Sequence, residues 1–387
     1  MKKPSSIVVM LLASLAITGC SSLSNVADAL NPFSGSAKKM APLPALTAKR
    51  EARTLWTINV AKADDYLFSP AVVGKAIFAA GRDGTLVRIE EGRVVWKIKI
   101  GQPISGGVGA NAQLVTVGTQ KGEVLAFAAD DGKPLWQARV SSEVLAPPAI
   151  GDEGVAVKSG DNRVFLLDAK DGARKWFYQR ATPALSLRNA APPVFSDRYV
   201  FVGFPGGKLV ALALLNGAPV WEGTVALPKG ATELDRVADI VTAPAIEGRQ
   251  VCAVAFQGRV ACFDLGQSGA LMWARDLSSA AGLTIDGAYL FVTDEKGAVH
   301  ALDRSTGSSL WKQDKLSGRR VSGPAVASGL VAVADGEGWV HFLSREDGAF
   351  VARQKTDGSA VNTPVQSYRG AMLVQTSDGN VSVIEAQ

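Results

Sequence analysis

Histidine and cysteine are the residue types that this 387-residue chain has least of, with two and three copies. The sequence has no HxH or CxxC spacing of the kind that holds a metal, and no G-x-S-x-G elbow or phosphate-binding loop. His300 and His341 occupy the same position in two successive sequence repeats, which favours packing over metal binding. These absences leave no catalytic residue, no metal ligand and no cofactor motif to predict.

Runs of positive charge are also absent. The formal net charge is +5, and Lys2 and Lys3 belong to the N-terminal leader described below. A nucleic-acid-binding surface needs clustered Lys and Arg side chains. We therefore predict no nucleic-acid partner and an ordinary solvated surface.

The N-terminus has an apolar stretch, but one too short to span a bilayer. The segment "MKKPSSIVVMLLASLAITGC" (1–20) has a basic start, an apolar run and small residues before Cys20, which is the plan of an export signal. Its ending "ITGC" resembles the bacterial lipobox, which implies a signal peptide over residues 1–19 and acylation of Cys20, for example with palmitate. A plain secretory signal with an incidental cysteine is the alternative.

Acylation at Cys20 would make the protein a lipoprotein. Several acyl chains anchor a protein stably where one does not. Ser21 follows the cysteine, where Asp is the usual inner-membrane retention mark, so an outer-membrane destination is favoured. Residues 20–50 mix Ser, Pro, Ala and Lys without periodicity, and we expect a lipidated cysteine followed by a flexible tether. The folded part then covers residues 51–387.

From Thr54 onward the chain repeats. Each unit opens with a Pro- or Gly-containing strand such as "SPAVV" (69–73), and a Gly turn then enters an apolar strand, as in "DGTLVRI" (83–89) and "KGAVHAL" (296–302). Eight such turns occur, and helical periodicity is nearly absent. Four short strands in roughly 40 residues are typical of a propeller blade, so we predict an all-β, eight-bladed β-propeller. The spare strand "TLWTINV" (54–60) should complete the last blade and close the ring.

Tryptophan marks the fourth strand of most repeats. We expect these side chains to dock each blade on the next, since a tryptophan buries about 150–250 Å². The seventh repeat has Ala352 at the expected position. The predicted docking residues are Trp56, Trp96, Trp136, Trp176, Trp221, Trp273 and Trp311.

The repeat lengthens twice in succession, and function is expected where a rule fails. The first insertion is "QRATPALSLRNAAPP" (179–193) and the second is "LPKGATELDRVADIVTAP" (227–244). In the second, Thr232 followed by Asp235 resembles a capping box, which suggests a helical turn. Adjacent insertions on one face predict a protein-binding surface; longer solvated loops are the alternative. The candidate contacts are Leu185, Leu187, Arg188, Glu233, Asp235, Arg236 and Asp239.

A lipobox, a tether and a Trp-docked propeller carrying "PALSLR" (183–188) and "TELDRVADI" (232–240) resemble the BamB family of lipoproteins. The resemblance implies a non-enzymatic role in the BAM complex, the outer-membrane β-barrel assembly machinery of Gram-negative bacteria. It implies that the protein faces the periplasm and binds the POTRA domains of the barrel subunit BamA there. It also implies that the protein assists the delivery or insertion of unfolded outer-membrane proteins. Carried over by motif, the partner-binding residues are Leu185, Leu187, Arg188 and Asp239. The family often has a second acid where this chain has Val241.

Two other functions stay open from the sequence. The segment "ALDRSTGSSLW" (301–311) also resembles the docking motif of quinoprotein alcohol dehydrogenases, which implies pyrroloquinoline quinone, calcium and a catalytic carboxylate. Those enzymes are usually much longer, and many carry adjacent cysteines, whereas Cys252 and Cys262 here are ten residues apart. The third possibility is a generic periplasmic propeller scaffold with another partner.

Cys252 and Cys262 flank the turn "FQGR" (256–259). Cross-strand geometry is often unfavourable for a disulfide, whereas an oxidising compartment favours one. The sequence leaves both a disulfide and two free thiols open.

Overall fold

The computed structural model describes residues 40–188 and 190–387. The predicted signal peptide (1–19), the predicted lipidation site Cys20 and residues 21–39 of the predicted tether lie outside the described residues. In the part of the chain that is described, no helix has the length and apolarity needed to cross a membrane.

The strands form eight antiparallel sheets of four strands each, which are the blades of a β-propeller. β1 (Ala52–Asn59) precedes blade 1 and belongs to blade 8. Blade 1 contains β2 (Ala71–Val73), β3 (Ala76–Ala80), β4 (Thr85–Glu90) and β5 (Arg93–Lys99). Blade 2 contains β6 (Gly106–Ala110), β7 (Leu114–Gly118), β8 (Glu123–Ala128) and β9 (Pro134–Arg139). Blade 3 contains β10 (Ala149–Gly151), β11 (Gly154–Lys158), β12 (Val164–Leu167) and β13 (Arg174–Tyr178). Blade 4 contains β14 (Val194–Ser196), β15 (Tyr199–Phe204), β16 (Lys208–Ala213) and β17 (Pro219–Thr224).

The remaining blades follow the same order from the inner to the outer strand. Blade 5 contains β18 (Ala245–Glu247), β19 (Gln250–Val254), β20 (Arg259–Asp264) and β21 (Ala270–Asp276), with a 3-10 turn over Leu265–Gln267. Blade 6 contains β22 (Leu283–Asp286), β23 (Tyr289–Thr293), β24 (Val299–Asp303) and β25 (Ser309–Gln313). Blade 7 contains β26 (Ala325–Ala327), β27 (Leu330–Ala334), β28 (Trp339–Ser344) and β29 (Phe350–Lys355). Blade 8 contains β30 (Gln366–Tyr368), β31 (Ala371–Gln375), β32 (Asn380–Ala386) and β1. The predicted all-β, eight-bladed propeller is confirmed.

Burial follows the position of each strand in its blade. Every residue of β3 and β7 is buried, because neighbouring blades cover both faces of a second strand. Strands covered on both faces read as continuous apolar runs. The outer strand β5 lies at the rim and consists of exposed and half-buried residues. This gradient explains why the second and third strands carry the clearest apolar signal in each repeat.

The tryptophans dock the blades as predicted. Each of the seven rings lies on a turn glycine of the next blade, for example Trp96 on Gly132 and Trp56 on Gly92. Six indole N–H groups also donate to a backbone carbonyl of that blade; the pairs are Trp96–Ala129, Trp136–Ala169, Trp176–Leu214, Trp221–Gly269, Trp273–Arg304 and Trp311–Arg345, at 2.7–3.1 Å.

Blade 7 lacks this tryptophan because blade 8 has no turn to receive it. β1 pairs with β32, which closes the ring as predicted. The third and fourth strands of blade 8 are therefore the two ends of the folded chain, and hydrogen bonds between Glu51 and Gln387 continue their pairing at the end where other blades have a turn. No glycine turn connects them, so Ala352 has no platform to cover.

The two cysteines left open by the sequence form a disulfide. Cys252 and Cys262 are paired across β19 and β20, with their Cα atoms 4.1 Å apart. Both are fully buried in the apolar cluster between blades 5 and 6.

Residues 40–50 differ from the expected tether. The sequence predicts that they belong to a flexible tether, but they lie against blade 7. Lys49 N–H donates to the Val351 carbonyl at 2.9 Å, and Ala41 N–H donates to the Ser317 carbonyl at 2.9 Å. Backbone hydrogen bonds to the blade, which composition does not reveal, hold this stretch.

Candidate partner-binding face

The turns between second and third strands and the linkers to the next blade lie at one end of the propeller, termed here the loop face. Ile100 N–H, in the linker after blade 1, donates to the carbonyl of Gly84 in that blade's turn. The two longest linkers are neighbours on this face. They are the first loop (residues 179–193), between β13 and β14, and the second loop (residues 227–244), between β17 and β18.

The first loop presents leucine at the surface. Leu185 is 44% exposed, and Leu187 is half-buried. The backbone N–H of Leu187 donates to the Oδ2 atom of Asp239 in the second loop at 2.7 Å. The exposed leucine therefore projects from a backbone that is tied to the neighbouring loop.

Asp239 lies beneath the loops, with only 1% of its surface exposed. Its Oδ1 atom accepts a hydrogen bond from the N–H of Gly206 at 3.1 Å, in the turn after β15. Gly206 has a φ of 75°, in the left-handed region that favours glycine. The sequence predicts Asp239 as a partner contact, whereas in the structure it is a buried support that joins the first loop, the second loop and blade 4.

Lys158, which no sequence pattern indicated, is a buried cation of this region. It ends β11, and its Nζ atom donates to the Gly203 carbonyl at 2.7 Å. Burial lowers the pKa of Lys158 to about 7, and the negative charge of Asp239 opposes that shift. In the sequence, Lys158 follows an apolar strand and resembles any residue at a strand end, so no local signal identified it.

Arg188 is paired within the protein. Its Nε and Nη2 atoms donate to the two carboxylate oxygens of Glu143 at 3.0 and 2.7 Å, and its guanidinium lies 5.5 Å from the centre of the Tyr66 ring. The hydrogen bond from Arg188 lowers the pKa of Glu143. A two-point Arg–carboxylate pair fixes direction as well as distance. Glu143 and Tyr66 were missed because they belong to other linkers.

The second loop contains the helical turn that its capping-box pattern predicts. Asp235 N–H donates to Thr232 Oγ1 at 3.2 Å, and Thr232 N–H donates to Asp235 Oδ2 at 3.1 Å. Glu233, Asp235 and Arg236 are exposed. The Nη1 atom of Arg236 lies 3.6 Å from the Oε1 atom of Glu233. Leu234, which the sequence analysis did not single out, is 71% exposed at the tip.

Comparison with known proteins identifies the family. A family model described as "Outer membrane protein assembly factor BamB" matches residues 82–313 and 310–387. The chain belongs to the BamB family. A relative named outer membrane protein assembly factor BamB, from Bordetella pertussis, is 41% identical over 98% of this chain and 96% of its own length.

A solved structure of BamB from Moraxella catarrhalis matches with a TM-score of 0.80 at 30% identity. The match covers 86% of this chain and 99% of that one. The quinohemoprotein alcohol dehydrogenase from Comamonas testosteroni also matches, with a TM-score of 0.68 at 12% identity over 86% of this chain and 76% of that one. The second likeness concerns the propeller fold alone, because one fold hosts unrelated functions.

The resemblance implies an acid at the position of Val241, and in this chain Val241 lines a depression of about 240 Å³ at the central mouth of the loop face, together with Leu67 and Pro192. Among the described residues, no charged side chain lines this depression. The surface around Val241 is therefore uncharged.

Proposed function

We propose that this protein is a non-enzymatic accessory factor of outer-membrane β-barrel protein assembly. It binds the POTRA domains of BamA within the BAM complex through the first and second loops. Acylation of Cys20 anchors it to the outer membrane, with the propeller in the periplasm. The name shared by its BamB relatives supports the general role.

The observation that carries the proposal is the built support under Leu185. Buried Asp239 holds the backbone at Leu187, and the Glu143 carboxylate holds the side chain of Arg188. An apolar side chain on a fixed backbone loses little conformational entropy on binding, which favours affinity. Leu185, Leu187 and Leu234 thus offer apolar anchors of the kind that dominate interfaces.

The test is the affinity of the full chain for a purified POTRA fragment of BamA, measured by biolayer interferometry. We expect Leu185→Asp to weaken binding by about 30-fold or more, the effect of losing an interface hot spot. Leu215→Asp is the matched control, because Leu215 is 92% exposed in the β16–β17 turn at the opposite end of the propeller. Equal affinities for the two variants would contradict the proposed contact.

The anchor is tested separately in the Leu185→Asp background, which removes the proposed contact with BamA. We expect Leu185→Asp in the membrane fraction and the double variant Cys20→Ser, Leu185→Asp in the soluble periplasmic fraction. A double variant that stays in the membrane fraction would contradict anchoring through Cys20.

A further inference from the structure

Residues 40–50, termed here the strap, run along the outer strand of blade 7. At one end Ala41 N–H donates to the carbonyl of Ser317, in the blade 6–7 linker on the loop face. At the other end Lys49 N–H donates to the carbonyl of Val351 in β29. The strap therefore crosses the whole rim of the blade before β1 begins.

The strap covers a surface that other blades leave open. Val351 is 6% exposed, whereas Leu310, at the same position of blade 6, is 49% exposed. Leu43 and Leu46 of the strap are half-buried. The apolar rim position of blade 7 is thus occupied by the chain's own N-terminal segment.

Two arginines hold the strap by its backbone. Arg319 Nη1 donates to the carbonyl of Ala41 at 2.9 Å, and Arg353 Nη2 donates to the carbonyl of Pro44 at 3.0 Å. Backbone carbonyls are satisfied in this way regardless of the strap's side chains. The contact therefore recognises the main chain of the strap.

Buried partners aim both arginines. Arg319 Nε donates to Asp335 at 2.6 Å, and Arg353 Nε donates to His341 Nδ1 at 3.1 Å. His341 Nε2 bonds Asp335 at 3.0 Å. Burial lowers the pKa of His341, which keeps the ring neutral and its Nδ1 able to accept. We term these four residues the clamp.

Blade 6 has an equivalent histidine–aspartate pair, although the strap lies on blade 7. His300 bonds Asp294 at 2.9 Å, and the residue paired with His300 on the outer strand is Lys312, the counterpart of Arg353. Lys312 is exposed. A lysine ammonium lacks the planar fork with which Arg353 bonds a ring nitrogen and a carbonyl together.

We propose that the clamp is a binding site for residues 40–46 and fixes the point where the N-terminal extension leaves the propeller. That point lies on the loop face, between blades 6 and 7.

Hydrogen–deuterium exchange of the full acylated chain tests the clamp. We expect amides within residues 40–50 to exchange about tenfold faster in Arg353→Gln, the change expected on losing one charged-donor hydrogen bond. Lys312→Gln, the matched change in blade 6, should leave this exchange unchanged. Leu43→Ser with Leu46→Ser should also speed it, and this variant leaves the propeller's own residues intact. Wild-type exchange at the rate of unprotected chain, or no change in either strap-directed variant, would overturn the proposal.

Because POTRA affinity is measured separately, a protected strap without POTRA binding contradicts the proposed function and leaves the clamp standing.

Discussion

The two long loops of the loop face are neighbours, yet they are held in different ways. The first loop depends on distant residues: Leu187 is bonded to Asp239, and Arg188 to Glu143. The exposed tip of the second loop depends on a local pair, Thr232 and Asp235. The comparison teaches that two aspartates four residues apart do different work. Asp239 supports the first loop from inside, whereas Asp235 shapes an exposed turn.

The largest effect that separates the two loops is expected from Asp239→Ala. It leaves two backbone N–H groups without an acceptor and the buried Lys158 without its nearby opposite charge. Removing one member of a buried charged group costs about 3–5 kcal/mol. We expect the free energy of unfolding in urea to fall by about that amount and POTRA affinity to fall with it. A loss below about 1 kcal/mol would contradict the supporting role.

The next effect is a dependence of the free energy of unfolding on pH, which comes from Lys158 beneath the first loop. The pKa of Lys158 is about 7 in the folded protein and about 10.4 in an unfolded chain. The unfolded chain therefore binds more protons between these values, so the free energy of unfolding rises with pH in this window and falls as the pH returns to 7. Urea unfolding at pH 7, 8 and 9 should show this slope in the wild type and a smaller one in Lys158→Met. Identical slopes would rule out a titrating Lys158.

Glu143→Gln distinguishes positioning by Arg188 from direct contact. The Arg188–Glu143 pair is partly exposed, so stability should change by less than about 1 kcal/mol. If the pair positions the first loop, as we expect, POTRA affinity falls several-fold. Glu91→Gln, which removes the Glu91–Arg369 pair at the opposite end, is the control and should keep wild-type affinity. Unchanged or tighter binding by Glu143→Gln would indicate that Arg188 contacts the partner directly.

The smallest effect is expected from Asp235→Ala. Its carboxylate caps an exposed turn, and such caps contribute about 0.5–2 kcal/mol. We expect the low end of that range, with faster hydrogen exchange confined to residues 230–237. A destabilisation as large as that of Asp239→Ala would remove the distinction between the two aspartates.

The fold was predictable because the signals that define each blade lie close together in the sequence and repeat along the chain. Each blade repeats one turn chemistry, and every blade but the seventh carries a docking tryptophan, so eight turns and a spare N-terminal strand predict eight blades and their closure. The substitution at Ala352 was visible but unexplained in sequence. In blade 8 the two ends of the folded chain, Glu51 and Gln387, are hydrogen-bonded to each other. Blade 8 therefore has no turn between its third and fourth strands for a tryptophan of blade 7 to cover.

The candidate site was predictable in location only. Insertion lengths identified the two loops, and Thr232 with Asp235 predicted the turn because that contact spans three residues. The bonds from Leu187 to Asp239 and from Arg188 to Glu143 span 52 and 45 residues. No local pattern records such pairs, so the burial of Asp239 and the roles of Glu143 and Lys158 required the structure.

By itself the sequence determined the repeated blade, the order of the strands and the two places where the repeat lengthens, because these follow from turn residues and apolar periodicity along the chain. The tertiary structure decided which carboxylate is buried, where Arg188 points, that Cys252 and Cys262 are bonded, and that residues 40–50 lie on blade 7. These outcomes depend on which linkers the closed ring brings together. Ring closure places residues from different blades beside one another, and only their packing sets which charges lose water and which backbone groups find partners.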